Sequence, residues 1–429
     1  MERPRGTRDF LPEEMERRRR VEGAMRATAL SFGYGEVQTP TFEHTDLFVA
    51  RSGEAVVEEM YVFQDKGGRS LALRPELTAA VMRMYASDLT HAPKPLRLFY
   101  SGPCFRYERP QKGRYREFFQ FGAELIGSPT PEADAEIIAL AVRCIESAGL
   151  CGTVVRIGHV GALRAVLEWA GVTGPLSARA FPLIDKGETQ GLEELLMDHV
   201  PRERLEALVE YVTAAGGAEV VGRARAAFAA VPKAVEHLAR LEEALGHLSH
   251  YRDVLCTVHL GIARGLDYYT GVVFEVDYPG LGAEKQVCGG GAYELGQVFG
   301  LKEVPATGFA IGLDRVVLAA GEAAAAGGGT PAERAREGAV VVPMDRSGAV
   351  MALAVEAAEA VRAAGLRAEL EVLRRPVGKA LKAADEQRLR WAVIVGTDEA
   401  ARGEVALKDL VSGEQRRVPL GDIAAAMGR

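Results

Sequence analysis

Residues 105 to 127 read FRYERPQKGRYREFFQFGAELIG and combine local positive charge with aromatic residues. The first thirteen residues of this stretch carry five cationic side chains and two carboxylates, although the whole chain has a formal net charge of −7. Pro110 and Gly113 favour a turn in the middle of the stretch. The pattern therefore predicts two strands, 105–109 and 116–124, joined by the loop PQKGRY.

The even-numbered positions of this predicted hairpin share one face, because side chains alternate across a strand. That face carries Arg106, Glu108, Arg116, Phe118, Gln120 and Glu124. Guanidinium groups bind phosphates through forked donors, and an aromatic ring can stack on a base, so the face suits a nucleotide. A solvated hairpin with cross-strand salt bridges accounts for the same pattern, and the residues alone leave both interpretations open.

Length and composition indicate a soluble globular protein of about two or three domains. The chain has 429 residues, of which 48% are hydrophobic and 26% charged. Its first ten residues, MERPRGTRDF, lack the apolar core of a secretory signal, and no run approaches the roughly 18 apolar residues of a membrane span. The five cysteines form no C-x-x-C pair, which favours a reducing compartment. We therefore expect a cytoplasmic protein without a membrane segment.

Apolar periodicity and breaker residues divide the chain into elements. Expected helices are Pro12 to Leu30, Pro131 to Gly149, several within a helical insertion at about 165–250, and one near 308–320. Expected strands lie in EVQTPTFE, near 60–64, 70–74, 96–101 and 254–260, and in VVFEVDYP. The Ala- and Gly-rich segment 321–338 predicts a linker. Alternating strands and helices then predict an α/β domain at 339–429.

Four further segments hold candidate site residues, and each has a structural alternative. ARGLDYYTG contains Arg264, Asp267, Tyr268 and Tyr269, which suit either an anion and aromatic pocket or a tyrosine-rich turn. QVCGGGAYELG suits a backbone that approaches a ligand closely, or a plain turn. GFAIGLDRVVLA places Arg315 in an apolar helix or at its start, where an ion pair is the alternative. In RPELTAAVMRMY, Glu76 and Thr78 could form a simple helix start.

Metal and hydrolase signatures are absent from the sequence. The eight histidines show no H-E-x-x-H or other ligand spacing, and G-x-S-x-G does not occur. The glycine-rich segment does not fit the phosphate loop G-x-x-x-x-G-K-[ST] or the dinucleotide fingerprint. No residue is therefore assigned to a metal.

Taken in order, these segments resemble the class II aminoacyl-tRNA synthetases, and specifically the histidyl-tRNA synthetase family. EVQTPTFE is similar to the first class II motif, FRYERPQKGRYREF to the second and GFAIGLDRVV to the third. ARGLDYYTG and VCGGGAYE resemble the two peptides that distinguish the histidine enzymes. The resemblance implies an α+β catalytic domain at 1–320, with an antiparallel sheet flanked by helices and a helical insertion, followed by a C-terminal α/β anticodon-binding domain.

The resemblance also implies roles for individual residues. The catalytic residues would be Arg106 and Arg264. ATP would be bound by Arg106, Glu108, Arg116, Phe118 and Arg315. Histidine would be bound by Glu76, Thr78, Gln120, Glu124, Tyr268, Tyr269 and Tyr293. The implied substrates and partners are L-histidine, ATP with Mg²⁺, tRNA(His) and a second copy of the chain in a homodimer.

Two positions depart from the family pattern GGGRYD, since Ala292 stands for the arginine and Glu294 for the aspartate. The alternative function is a synthetase-like regulatory subunit of ATP phosphoribosyltransferase, which would bind histidine without charging tRNA. The presence of Arg106, Arg264 and Arg315 and of an α/β domain after the linker favours the enzyme. A synthetase for another amino acid conflicts with ARGLDYYTG.

Overall fold

The computed structural model describes residues 2–52, 54–108, 115–252, 254–263, 268–326 and 336–428. The chain divides into two compact units, Met1–Gly327 and Gly328–Arg429. Within the described residues, no helix combines the length and apolar character that a membrane span requires.

The first unit alternates short strands with helices along the chain. Its strands are β1 (Gly35–Glu36), β2 (Phe42–His44), β3 (Tyr61–Gln64), β4 (Ser70–Leu73), β5 (Leu96–Phe105), β6 (Glu117–Ile126), β7 (Val154–His159), β8 (Ala215–Gly216), β9 (Cys256–His259), β10 (Tyr269–Asp277), β11 (Gln286–Glu294) and β12 (Pro305–Gly312). Its helices are α1 (Pro12–Ser31), α2 (Thr45–Ser52), α3 (Thr78–Met84), α4 (Pro131–Ser147), α5 (Val160–Ala170), α6 (Gly174–Lys186), α7 (Thr189–Leu196), α8 (Arg202–Thr213), α9 (Glu219–Ala227), α10 (Pro232–Leu248) and α11 (Leu313–Ala326).

A large sheet organises this unit. Among the described residues it has nine strands in the order β1-β5-β6-β12-β11-β10-β7-β9-β8, and β2, β4 and β3 form a smaller sheet. The pairs of the large sheet are antiparallel except β1 with β5 and β7 with β9. Helices α5 to α10 lie in the sequence between β7 and β9. The predicted fold class, an antiparallel sheet flanked by helices with a helical insertion, is confirmed.

Strand alternation gives the sheet two different faces. On β5, Phe99 belongs to a core that includes α1 and α4, whereas Leu98 and Tyr100 belong to a second cluster that includes α3. On β6, Phe121 and Ala123 point to the first core. The even-numbered side chains of β6 therefore face away from α4, which leaves this face for a site.

Three predicted boundaries differ from the structure. The first strand of the hairpin ends at Phe105 rather than beginning there, although the Arg106 amide still donates to the Arg116 carbonyl. The helix expected from 308 begins only at Leu313, because 305–312 is a strand. The helix then continues to Ala326, so the beginning of the predicted linker is helical.

The second unit is a doubly wound α/β domain. Its elements are β13 (Ala339–Pro343), α12 (Gly348–Ala363), β14 (Ala368–Leu370), α13 (Val377–Glu386), β15 (Trp391–Val395), α14 (Thr397–Arg402), β16 (Glu404–Asp409), β17 (Gln415–Pro419) and α15 (Ile423–Ala426). The strand order is β14-β13-β15-β16-β17. Helices α12 and α13 pack on opposite faces, α12 against Val341 and Val393 and α13 against Val340 and Val342. The predicted C-terminal α/β fold is confirmed.

Candidate active site

A cleft of about 390 Å³ lies over the start of β6 and the end of β12. Four of the five residues predicted for ATP line it, namely Arg106, Glu108, Phe118 and Arg315. Its walls also include Tyr115, Asp314 and backbone of β11. The hairpin and the third motif, which are far apart in sequence, therefore meet at one cleft.

Arg106 is anchored at the mouth of the cleft. Its Nε donates to the Pro75 carbonyl at 3.0 Å, and its guanidinium carbon lies 5.3 Å from the centre of the Phe118 ring. Its Nη1 lies 3.7 Å from a carboxylate oxygen of Glu108. A guanidinium fixed at one nitrogen can present the other two to an anion.

Arg315 lies in the first turn of α11 and lines the same cleft. Its Nη1 donates to the Gln286 carbonyl at 2.8 Å, which fixes the side chain against β11. The preceding residue, Asp314, accepts a hydrogen bond of 2.8 Å from the Phe119 amide. The start of α11 is thereby tied to both neighbouring strands.

Arg116 is the predicted ATP residue that does not line the cleft. Its guanidinium carbon lies 4.1 Å from the centre of the Tyr107 ring, and its Nε donates to the Glu108 carbonyl at 3.3 Å. It therefore lies beside the cleft, where its side chain contacts Tyr107 and the backbone of Glu108.

A buried carboxylate lies farther along the same face of β6. Glu124 is 1% exposed, and its two oxygens accept hydrogen bonds from the Tyr100 hydroxyl at 2.8 Å and the Tyr293 hydroxyl at 2.7 Å. Thr78 Oγ1 lies 3.4 Å from the Tyr100 hydroxyl. Burial raises the pKa of Glu124 to about 7, against the lowering effect of the two phenols. The group can therefore change charge near neutral pH.

The carboxylate has room only because its neighbour on β12 is a glycine. Gly308 is paired with Glu124 in the sheet. A Cβ at this position would lie 1.8 Å from Glu124 Oε2. The glycine is therefore required by the close approach of the carboxylate to the backbone.

Three predicted tyrosines form one aromatic group, and one of them, Tyr293, donates to this carboxylate. The rings of Tyr268 and Tyr269 have centres 4.5 Å apart, and those of Tyr268 and Tyr293 are 5.7 Å apart and perpendicular. All three side chains are buried. The Tyr269 carbonyl accepts a hydrogen bond of 3.0 Å from Arg164 of α5. The aromatic group is thus in contact with α5, the first helix between β7 and β9.

Glu76 and Gln120 have local structural partners. Glu76 accepts from the Ala79 amide at 3.0 Å, so it caps α3 as its helix-start interpretation predicts. Gln120 Oε1 accepts from the Cys104 thiol at 3.3 Å, across the β5–β6 pair. Both side chains remain partly exposed.

The two departures from the family peptide are placed apart from the pocket. Ala292 is paired with Thr307, and the alternation of β11 puts it on the opposite face from Tyr293. Glu294 Oε1 accepts hydrogen bonds from the amides of Gly296 at 3.1 Å and Val304 at 2.8 Å. Glu294 therefore closes the turn after β11.

Sequence reasoning missed two residues that the structure places at the site, Tyr100 and Asp314, and it also missed the buried Arg74 outside the cleft. Tyr100 lies on an even-numbered position of β5, so extending the alternation to this strand would have found it. Arg74 is 3% exposed and donates to the carbonyls of Pro103 at 2.8 Å and Thr39 at 2.8 Å. No sequence signal identifies these hydrogen bonds of Arg74, because they join segments that are distant in the sequence.

Some predicted residues lie outside the described part of the chain. These are Arg264 and Asp267 of the ARGLDYYTG peptide and residues 109–114 of the hairpin loop. In the described residues, no group of three or more His, Cys, Asp or Glu side chains is arranged to hold a metal ion.

Comparisons with known proteins agree with this arrangement. The family model for histidyl-tRNA synthetase matches residues 6–316, and that for an anticodon-binding domain matches residues 338–428. The chain is 47% identical over 416 residues to a histidine–tRNA ligase of Archaeoglobus fulgidus, with 97% of this chain and 96% of that protein covered.

Solved structures give the same result. A histidyl-tRNA synthetase from Nostoc sp. PCC 7120 superposes with a TM-score of 0.78 at 25% identity, with 100% of this chain and 99% of that chain covered. A protein of Bacillus halodurans, described as an ATP phosphoribosyltransferase regulatory subunit/histidyl-tRNA synthetase, gives 0.79 at 27% identity, covering 92% and 98%.

The antiparallel sheet, the hairpin with its arginine and the arginine at the start of α11 define a class II aminoacyl-tRNA synthetase. Full-length relatives and the matching catalytic and anticodon-binding models narrow the class further. The chain belongs to the histidyl-tRNA synthetase family, and its activity is that of a histidine–tRNA ligase. The regulatory alternative is not favoured.

Proposed function

We propose that the cleft and the Glu124 pocket together activate L-histidine with ATP and then pass it to the 3′ end of tRNA(His). The observation that carries the proposal is the buried Glu124 carboxylate, held by Tyr100 and Tyr293 on the same strand face as Phe118. An imidazole offers both a donor and an acceptor, so a carboxylate and a phenol can recognise it from two sides.

Activation joins two anions. A carboxylate oxygen of histidine attacks the α-phosphorus, the bond from that phosphorus to the bridging oxygen breaks, and pyrophosphate leaves with the bonding electrons. Arg106 is proposed to bind the α-phosphate and the attacking carboxylate, and Arg264 to approach the α-phosphate from the other side. Their positive charge would stabilise the crowded transition state, while positioning lowers the rest of the barrier.

Transfer completes the reaction. A hydroxyl of the terminal ribose of tRNA attacks the carbonyl carbon of histidine, its proton is released, and AMP leaves with the bonding electrons. The hairpin loop, which carries Lys112 and Arg114, is proposed to meet the acceptor end through its positive charge.

The adenine and the outer phosphates occupy the rest of the cleft in this proposal. Phe118 stacks on adenine, Arg315 lies on the other side of the base or at the terminal phosphates, and Glu108 contacts the adenine. Arg116 would have to turn from the Tyr107 ring to reach a phosphate. Glu76, Thr78 and Gln120 are assigned to the amino group of histidine, and Tyr268 and Tyr269 to the imidazole pocket.

Mg²⁺ is proposed to accompany ATP. Proteins usually bind this ion through substrate phosphates together with one or two carboxylates, and we assign no residue of this chain to it. The bound ion would neutralise phosphate charge and so assist the departure of pyrophosphate.

A homodimer is proposed from the small sheet next to the first motif. Phe42 is 52% exposed and Val62 and Phe63 are each 41% exposed. The rings of Phe42 and Phe63 meet edge to face with centres 6.3 Å apart. Exposed apolar side chains grouped on one surface are typical of an interface. We place the enzyme in the cytoplasm, where its proposed tRNA substrate is used.

The domains are assigned as a catalytic domain at 1–320, a linker within 321–338 and an anticodon-binding domain at 339–429. A chain ending at Gly327 is expected to retain histidine-dependent ATP–pyrophosphate exchange and to lose most tRNA charging. Equal charging by the truncated and full chains would remove the anticodon role from the second unit.

The catalytic assignment is tested with Arg106→Ala and Arg264→Ala. Each variant should lose most adenylate formation while keeping the circular dichroism spectrum of the wild type. Exchange at a near wild-type rate in either variant would show that the role given to that arginine is wrong.

A further inference from the structure

The segment Pro4–Phe10, termed here the N-terminal strap, crosses the start of β6. The Gly6 carbonyl accepts a hydrogen bond of 2.9 Å from the Arg116 amide. The Thr7 amide and hydroxyl both donate to the Pro4 carbonyl, at 3.2 and 2.7 Å, which folds the strap into a turn. The strap therefore holds the backbone just before β6 begins at Glu117.

Gly6 is required at this crossing. Its φ of +85° lies in the left-handed region, and a Cβ would lie 2.8 Å from Cγ of Arg116. Another residue would be strained by its backbone and would push on the stem of the arginine. The approach of the strap to Arg116 is therefore close and specific.

A second contact joins the strap to α11. An Nη2 of Arg8 donates to Asp314 Oδ1 at 2.7 Å, and the guanidinium carbon of Arg8 lies 3.5 Å from the centre of the Tyr115 ring. The other oxygen of Asp314 accepts from the Phe119 amide at 2.8 Å. Arg8 is thus linked through the Asp314 carboxylate to the strand that carries Phe118 and to helix α11, whose first turn holds Arg315.

Helix α1 supports the same carboxylate. Arg18 is 4% exposed, with its Nη1 3.5 Å from Asp314 Oδ1 and its guanidinium carbon 3.4 Å from the centre of the Phe119 ring. Asp314 and Tyr115 line the ATP cleft, whereas Arg8 and Gly6 do not. The strap therefore contacts residues that line the cleft without lining it itself.

We propose that the N-terminal strap positions the ATP site: Gly6 and Arg8 hold Arg116, Tyr115 and Asp314 in the geometry that ATP requires. Both are positioning residues, and the inference rests on the proposed use of this cleft for ATP. Loss of either contact weakens ATP binding selectively, because the Glu124 pocket lies farther along β6 and has its own partners.

The test compares Arg8→Met and Gly6→Ala with the control Arg3→Met. In the part of the chain that the structure describes, Arg3 forms an ion pair with Asp9 at 3.7 Å, and both side chains are largely exposed. Titration calorimetry of the full-length protein measures Kd for ATP and for L-histidine separately, and thermal unfolding reports stability. Binding is read without turnover, so the result stands apart from any failure of the proposed ligase reaction.

We expect Kd for ATP to rise about tenfold in both strap variants, with Kd for histidine unchanged and Arg3→Met like the wild type. Arg8→Lys should recover part of the affinity, since a lysine can pair with Asp314 without stacking on Tyr115. The inference is overturned if ATP affinity is unchanged, or if both affinities fall together with the unfolding temperature.

Discussion

The Tyr293 hydroxyl donates a hydrogen bond of 2.7 Å to Glu124 Oε2, between side chains that are 2% and 1% exposed. The other oxygen of Glu124 is held by Tyr100 at 2.8 Å. A carboxylate held from both sides has a fixed direction, and burial keeps water from competing with a ligand. In the proposed function this geometry selects imidazole over other side chains.

Removing the hydrogen bond from Tyr293 to Glu124 should weaken the activation of histidine. In Tyr293→Phe we expect kcat/KM for histidine in pyrophosphate exchange to fall about 10- to 100-fold, since hydrogen bonds to charged groups contribute about 1.5–3 kcal/mol. The control is Tyr211→Phe, whose buried hydroxyl has no hydrogen-bond partner among the described residues. An unchanged kcat/KM in Tyr293→Phe would contradict the recognition role.

A methyl group beside the carboxylate should have a larger effect. In Gly308→Ala the new Cβ would overlap Glu124 Oε2, so the carboxylate must move or the strands must separate. We expect loss of nearly all histidine-dependent exchange. Gly23→Ala in α1 has nothing within 4 Å of its new Cβ and should be stabilised by about 0.5–1 kcal/mol. Wild-type histidine use by Gly308→Ala would contradict the proposed position of the imidazole.

The raised pKa of Glu124 predicts a pH-dependent stability. The pKa of Glu124 in the folded chain, about 7, lies above its ordinary value of 4.5. As the pH rises, the carboxyl therefore loses its proton at a lower pH in the unfolded chain than in the folded chain. The unfolding free energy of the wild type, relative to Glu124→Gln, should therefore fall as pH rises from about 4.5 to about 7 and be flat outside this window. Urea unfolding across this range measures the difference. A difference that rises with pH would show that the carboxylate is stabilised in its charged form.

The core of the site was predictable because strand alternation is strict. The spacing of Phe118, Gln120 and Glu124 placed them on one face, and the sheet register agrees. The end of β5, residues 102–105, was missed because Pro103 reads as a break. Pro103 is tolerated in β5 because its carbonyl faces Arg74 rather than β6. The N–H and C=O of a strand residue point to the same side, so the amide hydrogen that proline lacks would not have bonded to β6.

Other features depended on packing that the sequence does not display. The strand 305–312 lies between two others and is covered on both faces, so its apolar run lacks alternation and resembles a helix. Contacts such as Arg8 with Asp314 join positions 306 residues apart. Local periodicity carries no information about such pairs.

Arg74 should be important for stability. Its guanidinium donates to the carbonyls of Pro103 and Thr39 at 2.8 Å and Pro40 at 3.1 Å, and Arg74→Met would leave these carbonyls without that donor. We expect the unfolding free energy to fall by about 3–5 kcal/mol, measured by denaturant titration. Arg202→Met is the control, because Arg202 is 91% exposed and pairs with Glu206 on the surface. It should change stability by less than about 1 kcal/mol. Equal small effects in both variants would contradict the role of Arg74.

The most direct test of the central claim is ATP–pyrophosphate exchange by the full-length protein, measured with each of the twenty amino acids in turn. We expect exchange with L-histidine alone, dependent on Mg²⁺ and lost in Arg106→Ala. Exchange with a different amino acid, or tight histidine binding without any exchange, would contradict this claim.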